Sequence, residues 1–154
     1  KPCGIETTFH EGIANGLKPL LPFYKEGLTY AGRLDKESEG LLLLSNDGRF
    51  IEMLTNPGSV KEKEYIVSVH MPVEPIFIEN MKQGVVIMGQ KTRPCEAWQT
   101  GNRTFQIILT EGRNRQIRRM CHQLGYKVEA LKRIRIDRFE LGDMKPGEYR
   151  KINI

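Results

Sequence analysis

"GRLDKESEGLLLLSNDG", residues 32–48, sets Arg33, Asp35, Lys36, Glu37 and Glu39 directly before four consecutive leucines. The leucine run reads as a short buried strand over 41–45. The polar tail at 45–48 reads as a turn whose side chains can cap the helix that follows. Charge crowded at the mouth of a buried strand has two readings. It is an ordinary solvated turn, or it is a functional loop on a rigid support.

Working outward from this stretch, strands and helices alternate. Residues 28–31 read as a strand. Phe50, Ile51, Met53 and Leu54 keep helical spacing until Asn56-Pro57-Gly58 stops them. "EKEYIVSVH" (62–70) alternates, with Lys63, Tyr65, Val67 and Val69 on one face. A helix near 74–83 ends at Gly84, and strands follow near 85–88, 93–98 and 103–110. "GRNRQIRRMCHQLGY" (112–126) carries Ile117, Met120, Cys121 and Leu124 as an i, i+3, i+4, i+7 apolar stripe, and Gly125 ends that helix. Residues 127–139 read as a long strand and 147–152 as a last short one. The pattern is that of an α+β domain, a sheet covered by a few helices.

A chain of 154 residues fits one domain with a real core, over 1–154. No apolar run approaches the roughly 20 residues that span a bilayer, so no membrane association is expected. The three cysteines and three histidines are scattered and form no CxxC, which argues against disulfides and against a metal site. A reducing, cytoplasmic setting is expected. The sequence opens at Lys1 without a methionine and is expected to be a piece of a longer chain. The net charge is +5, yet residues 111–138 alone hold nine bases and three acids, a net of +6. The whole basic excess therefore sits in one segment. That is the footprint expected for a polyanion partner, or else a solvated helix face.

Three local patterns carry chemical content. On the helix of residues 114–124, Arg115, Arg118, Arg119 and His122 crowd the face beside the apolar stripe. Arg118 sits about 100° from Ile117, at the edge between core and solvent. There it is an amphipathic boundary residue, or its planar fork reaches a partly buried carboxylate. On the strand 127–139, period two puts Val128, Ala130, Ile134 and Ile136 on one face. Leu131, Arg133, Arg135 and Asp137 take the other, leaving Leu131 as one apolar side chain on a basic face. Tyr65 lies on the same strand face as Lys63. Such a tyrosine packs in the core, or it stacks a base while the lysine holds backbone.

Together "AGRLDKESEGLLLLSNDG", "KEYIV", "EGRNRQIRRM" and "LKRIRI", in that order and with "KPCGIETT" before and "GEYRKI" after, resemble the bacterial RsuA-type ribosomal pseudouridine synthases, most of all their RluF-like branch. The resemblance implies a pseudouridine synthase fold: a mixed, largely antiparallel sheet in two halves flanked by helices, with the active-site cleft between the halves. It implies that Asp35 of the GRLD motif is the catalytic nucleophile and that Arg118 pairs with it. It implies that Tyr65 contacts the target base and that Leu131 packs beside that base. Arg33, Lys36, Lys63, Arg113, Arg115, Arg119, Lys132 and Arg133 are the expected phosphate-holding set. The partner implied is ribosomal RNA, 23S first, with transfer RNA as an alternative. No metal or organic cofactor is implied, and the protein is expected to act as a monomer. Many family members carry an N-terminal S4 RNA-binding domain, for which this sequence has no counterpart.

Three other function classes fit part of this pattern; one, a structural ribosome component, is disfavoured by the intact set Asp35, Tyr65, Arg118 and Leu131. A non-catalytic RNA-binding module could use the same basic surface, but an acid such as Asp35 weakens polyanion binding unless it has a task. A glycosidase-like hydrolase needs a second carboxylate across the bond, for which Glu37 and Glu39 are the nearest candidates.

Overall fold

The computed structural model describes residues 1–154. Its strands are β1 (Thr29–Tyr30), β2 (Glu39–Gly40), β3 (Leu44–Ser45), β4 (Lys63–Val69), β5 (Val86–Ile87), β6 (Gln90–Lys91), β7 (Glu96–Gly101), β8 (Thr104–Leu109), β9 (Val128–Ile136) and β10 (Phe139–Glu140). The helices are α1 (Gly48–Thr55), α2 (Pro75–Gln83) and α3 (Gln116–Gln123). The main sheet runs β10-β9-β4-β8-β7, every neighbour antiparallel, and β2 joins β9 in parallel. No helix is long and apolar enough to cross a membrane.

The helices start and stop where their sequences allow. Asp47 caps α1 by accepting from the Arg49 N–H at 2.9 Å, as the turn at 45–48 suggested. Behind α3, Gly125 (φ +84°) lets the Gly125 and Tyr126 N–H groups reach back to His122 and Cys121 carbonyls. Two cores result. The larger has 16 buried residues and joins β4, β8 and β9 to α2 and α3 through side chains such as Val67, Phe77, Phe105, Ile107 and Met120. The smaller, of seven, joins Ala31, Leu41 and Leu43 to Phe50 and Leu54 of α1 and to Ile136.

Three expectations change. The leucine run is not one strand. Leu41 N–H donates to the Arg133 carbonyl at 2.7 Å, whereas the Leu43 carbonyl accepts from Ala31 N–H at 2.9 Å. The chain thus crosses from β9 to β1 in four residues, with Leu41 and Leu43 buried. Residues 147–152 form no strand and are exposed. The long strand 127–139 ends at Ile136, because Asp137 (φ +51°) opens a two-residue turn into β10.

β9 also breaks the expected period. Register shifts fall opposite Glu64/Tyr65 and Ser68/Val69, so Ile134 and Glu129 have no partner on β4. Such bulges shift side chains between faces. Leu131 and Arg133 consequently turn inward, 7% and 2% exposed, while Arg135 turns out to Glu62 and Glu64. The exposed leucine on a basic face does not exist.

Candidate active site

The residues 33–38 loop faces the segment 111–118 across a cleft of about 640 Å³, whose floor includes Tyr65, Leu109 and Leu131. That volume lies within the range of small-ligand sites.

The loop carrying Asp35 is clamped from both sides. Leu34 is buried, and Thr7, 2% exposed, holds it twice: Thr7 Oγ1 donates to the Leu34 carbonyl at 2.7 Å and accepts from Leu34 N–H at 3.2 Å. Ser38 is fully buried, its N–H donates to the Asp35 carbonyl at 3.0 Å, and its hydroxyl accepts from Arg118 Nη2 at 3.0 Å. Asp35 therefore projects from a short turn with both ends fixed. At Gly40 (φ +119°) the chain passes so close to β9 that no Cβ fits.

Two guanidinium groups flank the Asp35 carboxylate. Arg115 Nη1 lies 3.4 Å from Oδ2 and Arg118 Nε 3.8 Å. Arg118 Nε is buried and has no hydrogen-bond partner, since 3.8 Å is beyond hydrogen-bond length. Arg115 Nη1 also donates to both oxygens of Glu37, at 3.3 and 3.2 Å. Arg115 takes the left-handed backbone conformation (φ +50°, ψ +35°) at the start of α3, which turns its side chain toward the 33–38 loop. The Glu37 carboxyl is held below the usual carboxylate range, first by its own backbone N–H and then by the Arg115 guanidinium.

Of the residues singled out in the sequence, the cleft brings together Arg33, Asp35, Lys36, Tyr65, Arg113, Arg115, Arg118 and Leu131. Tyr65 is partly buried against the larger core and also lines the cleft. Leu131 belongs to that core and shows one edge to the cleft. Lys63, Arg119, Lys132 and Arg133 do not line it. Lys132 faces away because it pairs with Ile66 on the opposite side of the sheet from Tyr65. Arg119 folds back on Asn114, at 3.0 and 3.1 Å. Arg133 is buried, with Nε donating to the Leu41 carbonyl at 2.9 Å. Lys63 is half-buried, and burial first, then the Arg133 charge, lowers its pKa. Arg113 lines the cleft, but its guanidinium is held by Glu111 Oε2 at 3.1 Å and by the Gln90 and Lys91 carbonyls at 3.3 and 3.0 Å. Arg113 and Arg119 are thus already engaged by the fold, and Arg133 is buried away from the cleft with its Nη2 unpartnered.

Sequence reasoning missed Thr7, Ser38 and Gln116. Gln116, 4% exposed, accepts from Arg113 N–H at 3.0 Å and donates to Glu111 at 2.9 Å, and so fixes the wall opposite Asp35. Thr7 and Ser38 meet partners 27 and 80 positions away, whereas Gln116 is bonded locally, to a loop with no periodic pattern to mark it. No group of three or more His, Cys, Asp or Glu side chains is placed to hold a metal ion.

Comparison with known proteins adds the lineage. A family profile described as RNA pseudouridylate synthase matches residues 1–123. The chain is similar to the dual-specificity RNA pseudouridine synthase RluF of Escherichia coli K12, 38% identical over 152 residues, covering 99% of this chain and 52% of the relative. It is also similar to the ribosomal small subunit pseudouridine synthase A of Pasteurella multocida, 36% identical, covering 99% of this chain and 68% of the relative. A crystal structure of a pseudouridylate synthase superposes with a TM-score of 0.80 at 31% identity, over 87% of this chain and 61% of that one. The chain spans about half the length of the RluF relatives it matches.

Proposed function

The chain belongs to the family of RNA pseudouridylate synthases, and on that premise we propose that it isomerises uridine to pseudouridine in structured RNA, with Asp35 as nucleophile. The observation that carries this reading is the convergence of Asp35, Tyr65, Arg118 and Leu131, from four distant segments, on one cleft.

The reaction breaks the N1–C1′ glycosidic bond, turns the uracil and rejoins it through C5, whose hydrogen leaves as a proton. The target nucleotide has to leave its stack first, at a few kcal/mol. Tyr65 offsets that cost by stacking on the base, worth roughly 1–3 kcal/mol, and Leu131 lends an apolar edge. Asp35 attacks the sugar or the base, or removes a sugar proton, from a turn pinned by Leu34 and Ser38. Arg118 orients it, being itself held by Ser38. Arg33, Lys36 and Arg115 at the cleft rim contact phosphates. The detached base stays in a walled site, away from bulk water.

The substrate proposed first is ribosomal RNA of the large subunit, in keeping with the RluF-like motifs. Transfer RNA, the alternative from the sequence, is the substrate to test second. The experiment is tritium release from 5-tritiated-uridine RNA, with wild type beside Asp35→Asn. Release by wild type alone supports C5 chemistry through Asp35. Release by both removes Asp35 from the reaction, and free uracil as product makes the protein a hydrolase.

A further inference from the structure

We propose that Glu37 is a built-in anion that occupies Arg115 in the free protein and is displaced by a backbone phosphate of the bound RNA, upon which Asp35 closes on Arg118. This rests on the RNA-modifying reading above and concerns how that same cleft is opened.

Three observations lead to it. First, one nitrogen, Arg115 Nη1, serves three carboxylate oxygens: both of Glu37 and Oδ2 of Asp35. A single Nη1 has two hydrogens, so three acceptors cannot all be well satisfied. The pairing on Nη1 is overcrowded and ready to exchange. Second, Glu37 is the acid that has least to lose by leaving. Its side chain is 55% exposed, against 31% for Asp35, and a solvated carboxylate regains water when it departs. Third, Arg118 Nε is buried, without a partner and 3.8 Å from Asp35 Oδ2. A buried N–H without an acceptor is unfavourable. A shift of Asp35 of less than about 1 Å away from Arg115 brings that pair to ordinary hydrogen-bond length.

The same geometry orders the events. A phosphate has oxygens that match the guanidinium fork as well as a carboxylate does. When it docks on Arg115 it takes the place of Glu37 and draws Arg115 off Asp35. Asp35 then completes Arg118, whose other nitrogen already rests on Ser38. RNA binding thus changes the partner of the catalytic carboxylate, and Glu37 keeps the free cleft from presenting an unpaired Arg115 to every passing anion. Glu37 is a positioning residue in this scheme, acting through Arg115.

The test is a binding cycle on the 154-residue chain with ribosomal RNA transcripts, read over a salt series. Glu37→Gln is expected to tighten binding about two- to five-fold, the worth of one exposed ion pair. It is also expected to steepen the slope of log K against log salt by about 0.7–0.9, because Arg115 then meets phosphate without giving up a carboxylate. In an Arg115→Gln background the same change is expected to do nothing. Glu39→Gln, outside the cleft, controls for net charge. Equal tightening with and without Arg115, or no tightening at all, overturns the displacement. Tritium release from the same RNA separates the two levels. Release by wild type with a flat cycle refutes the Glu37 exchange alone, whereas no release from any transcript refutes the synthase reading and takes the exchange with it.

Discussion

Gly40→Ala is the change that most directly tests how the fold holds Asp35. Gly40 has φ +119°, and a Cβ there would lie 2.2 Å from the Arg133 carbonyl oxygen and 2.5 Å from the Arg133 nitrogen. Both atoms are backbone of β9 and cannot swing aside. Relief requires β2 and β9 to part by about 1 Å, judged against ordinary van der Waals contact. That parting breaks the 2.7 Å bond from Leu41 N–H to the Arg133 carbonyl and the 2.9 Å bond from Arg133 Nε to the Leu41 carbonyl. Two such bonds contribute about 1–3 kcal/mol together. An alanine held at that φ adds about 1–3 kcal/mol of strain. The expected loss is about 4 kcal/mol, a fall in Tm of about 8–16 °C for a domain of this size. Gly48→Ala is the control. It sits in α1 with nothing within 4 Å of its Cβ, and is expected to be neutral or stabilising by up to about 1 kcal/mol. The assay is thermal unfolding followed by circular dichroism, with tritium release measured well below both midpoints. Residues 35–38 hang directly from β2, so turnover is expected to fall in Gly40→Ala even where the protein is folded. A midpoint within about 2 °C of wild type would refute the reasoning, since the clash would then be absorbed without parting the strands.

Other outcomes follow from the same geometry. Leu131→Ala is expected to lower stability by about 2–4 kcal/mol, because Leu131 is 7% exposed and opposite Val67 in the larger core; a chemical-denaturation loss under about 1 kcal/mol would make it a cleft residue only. Burial raises the Cys95 thiol to about 11 and the Cys121 thiol to about 12, whereas Cys3 is exposed. Native protein treated with iodoacetamide at pH 8 is therefore expected to show one modified cysteine by mass spectrometry, Cys3, since the thiolate is the reactive form. The Glu37 carboxyl is held low in the folded state, so its contact with Arg115 is present above the ordinary carboxylate range and is lost as pH falls through the lowered value. NMR titration of Glu37 is expected to move to higher pH in Arg115→Gln, and an unmoved midpoint would leave Glu37 governed by its own backbone alone.

Much of this was legible because it is local. The helix α3 announces itself through Ile117, Met120 and Cys121, and its end through Gly125. The Asp47 cap is written in one residue before the helix it caps. What failed depends on a neighbour. Alternation along 127–139 assigns Leu131 and Arg133 to the outside only if β9 stays in register with β4. It does not, and the unpaired Glu129 and Ile134 are visible only once the partner strand is laid beside them. The leucine run likewise reads as one strand because all four residues are apolar. In fact it changes partner midway, with Leu41 on β9 and Leu43 on β1. Thr7 and Ser38 fix the turn that carries Asp35, yet their hydroxyls meet Leu34 and Arg118, 27 and 80 positions away. No window of sequence contains those pairs.

The basic segment shows what charge counting measures and what it does not. A net of +6 over residues 111–138 suggests one broad phosphate-binding face. The fold takes several of those cations for itself. Arg113 ties the wall of the cleft to the β5–β6 hairpin, Arg119 closes the first turn of α3, and Arg133 is buried against the Leu41 carbonyl. Arg135 is held by Glu62 and Glu64, both outside the segment, at 2.9 and 2.8 Å. An arginine is suited to such internal posts, since its fork can satisfy several acceptors while staying charged. The charge excess in sequence thus divides into cations that build the cleft and cations that face it. Arg115 and Arg118 are the ones turned toward Asp35, and each already leans on a residue of the same short loop, Glu37 or Ser38. In the proposed exchange, a substrate anion arriving there rearranges an existing set of pairs. On the proposed reading, the polar contacts around Asp35, more than the total charge, set how the cleft receives RNA.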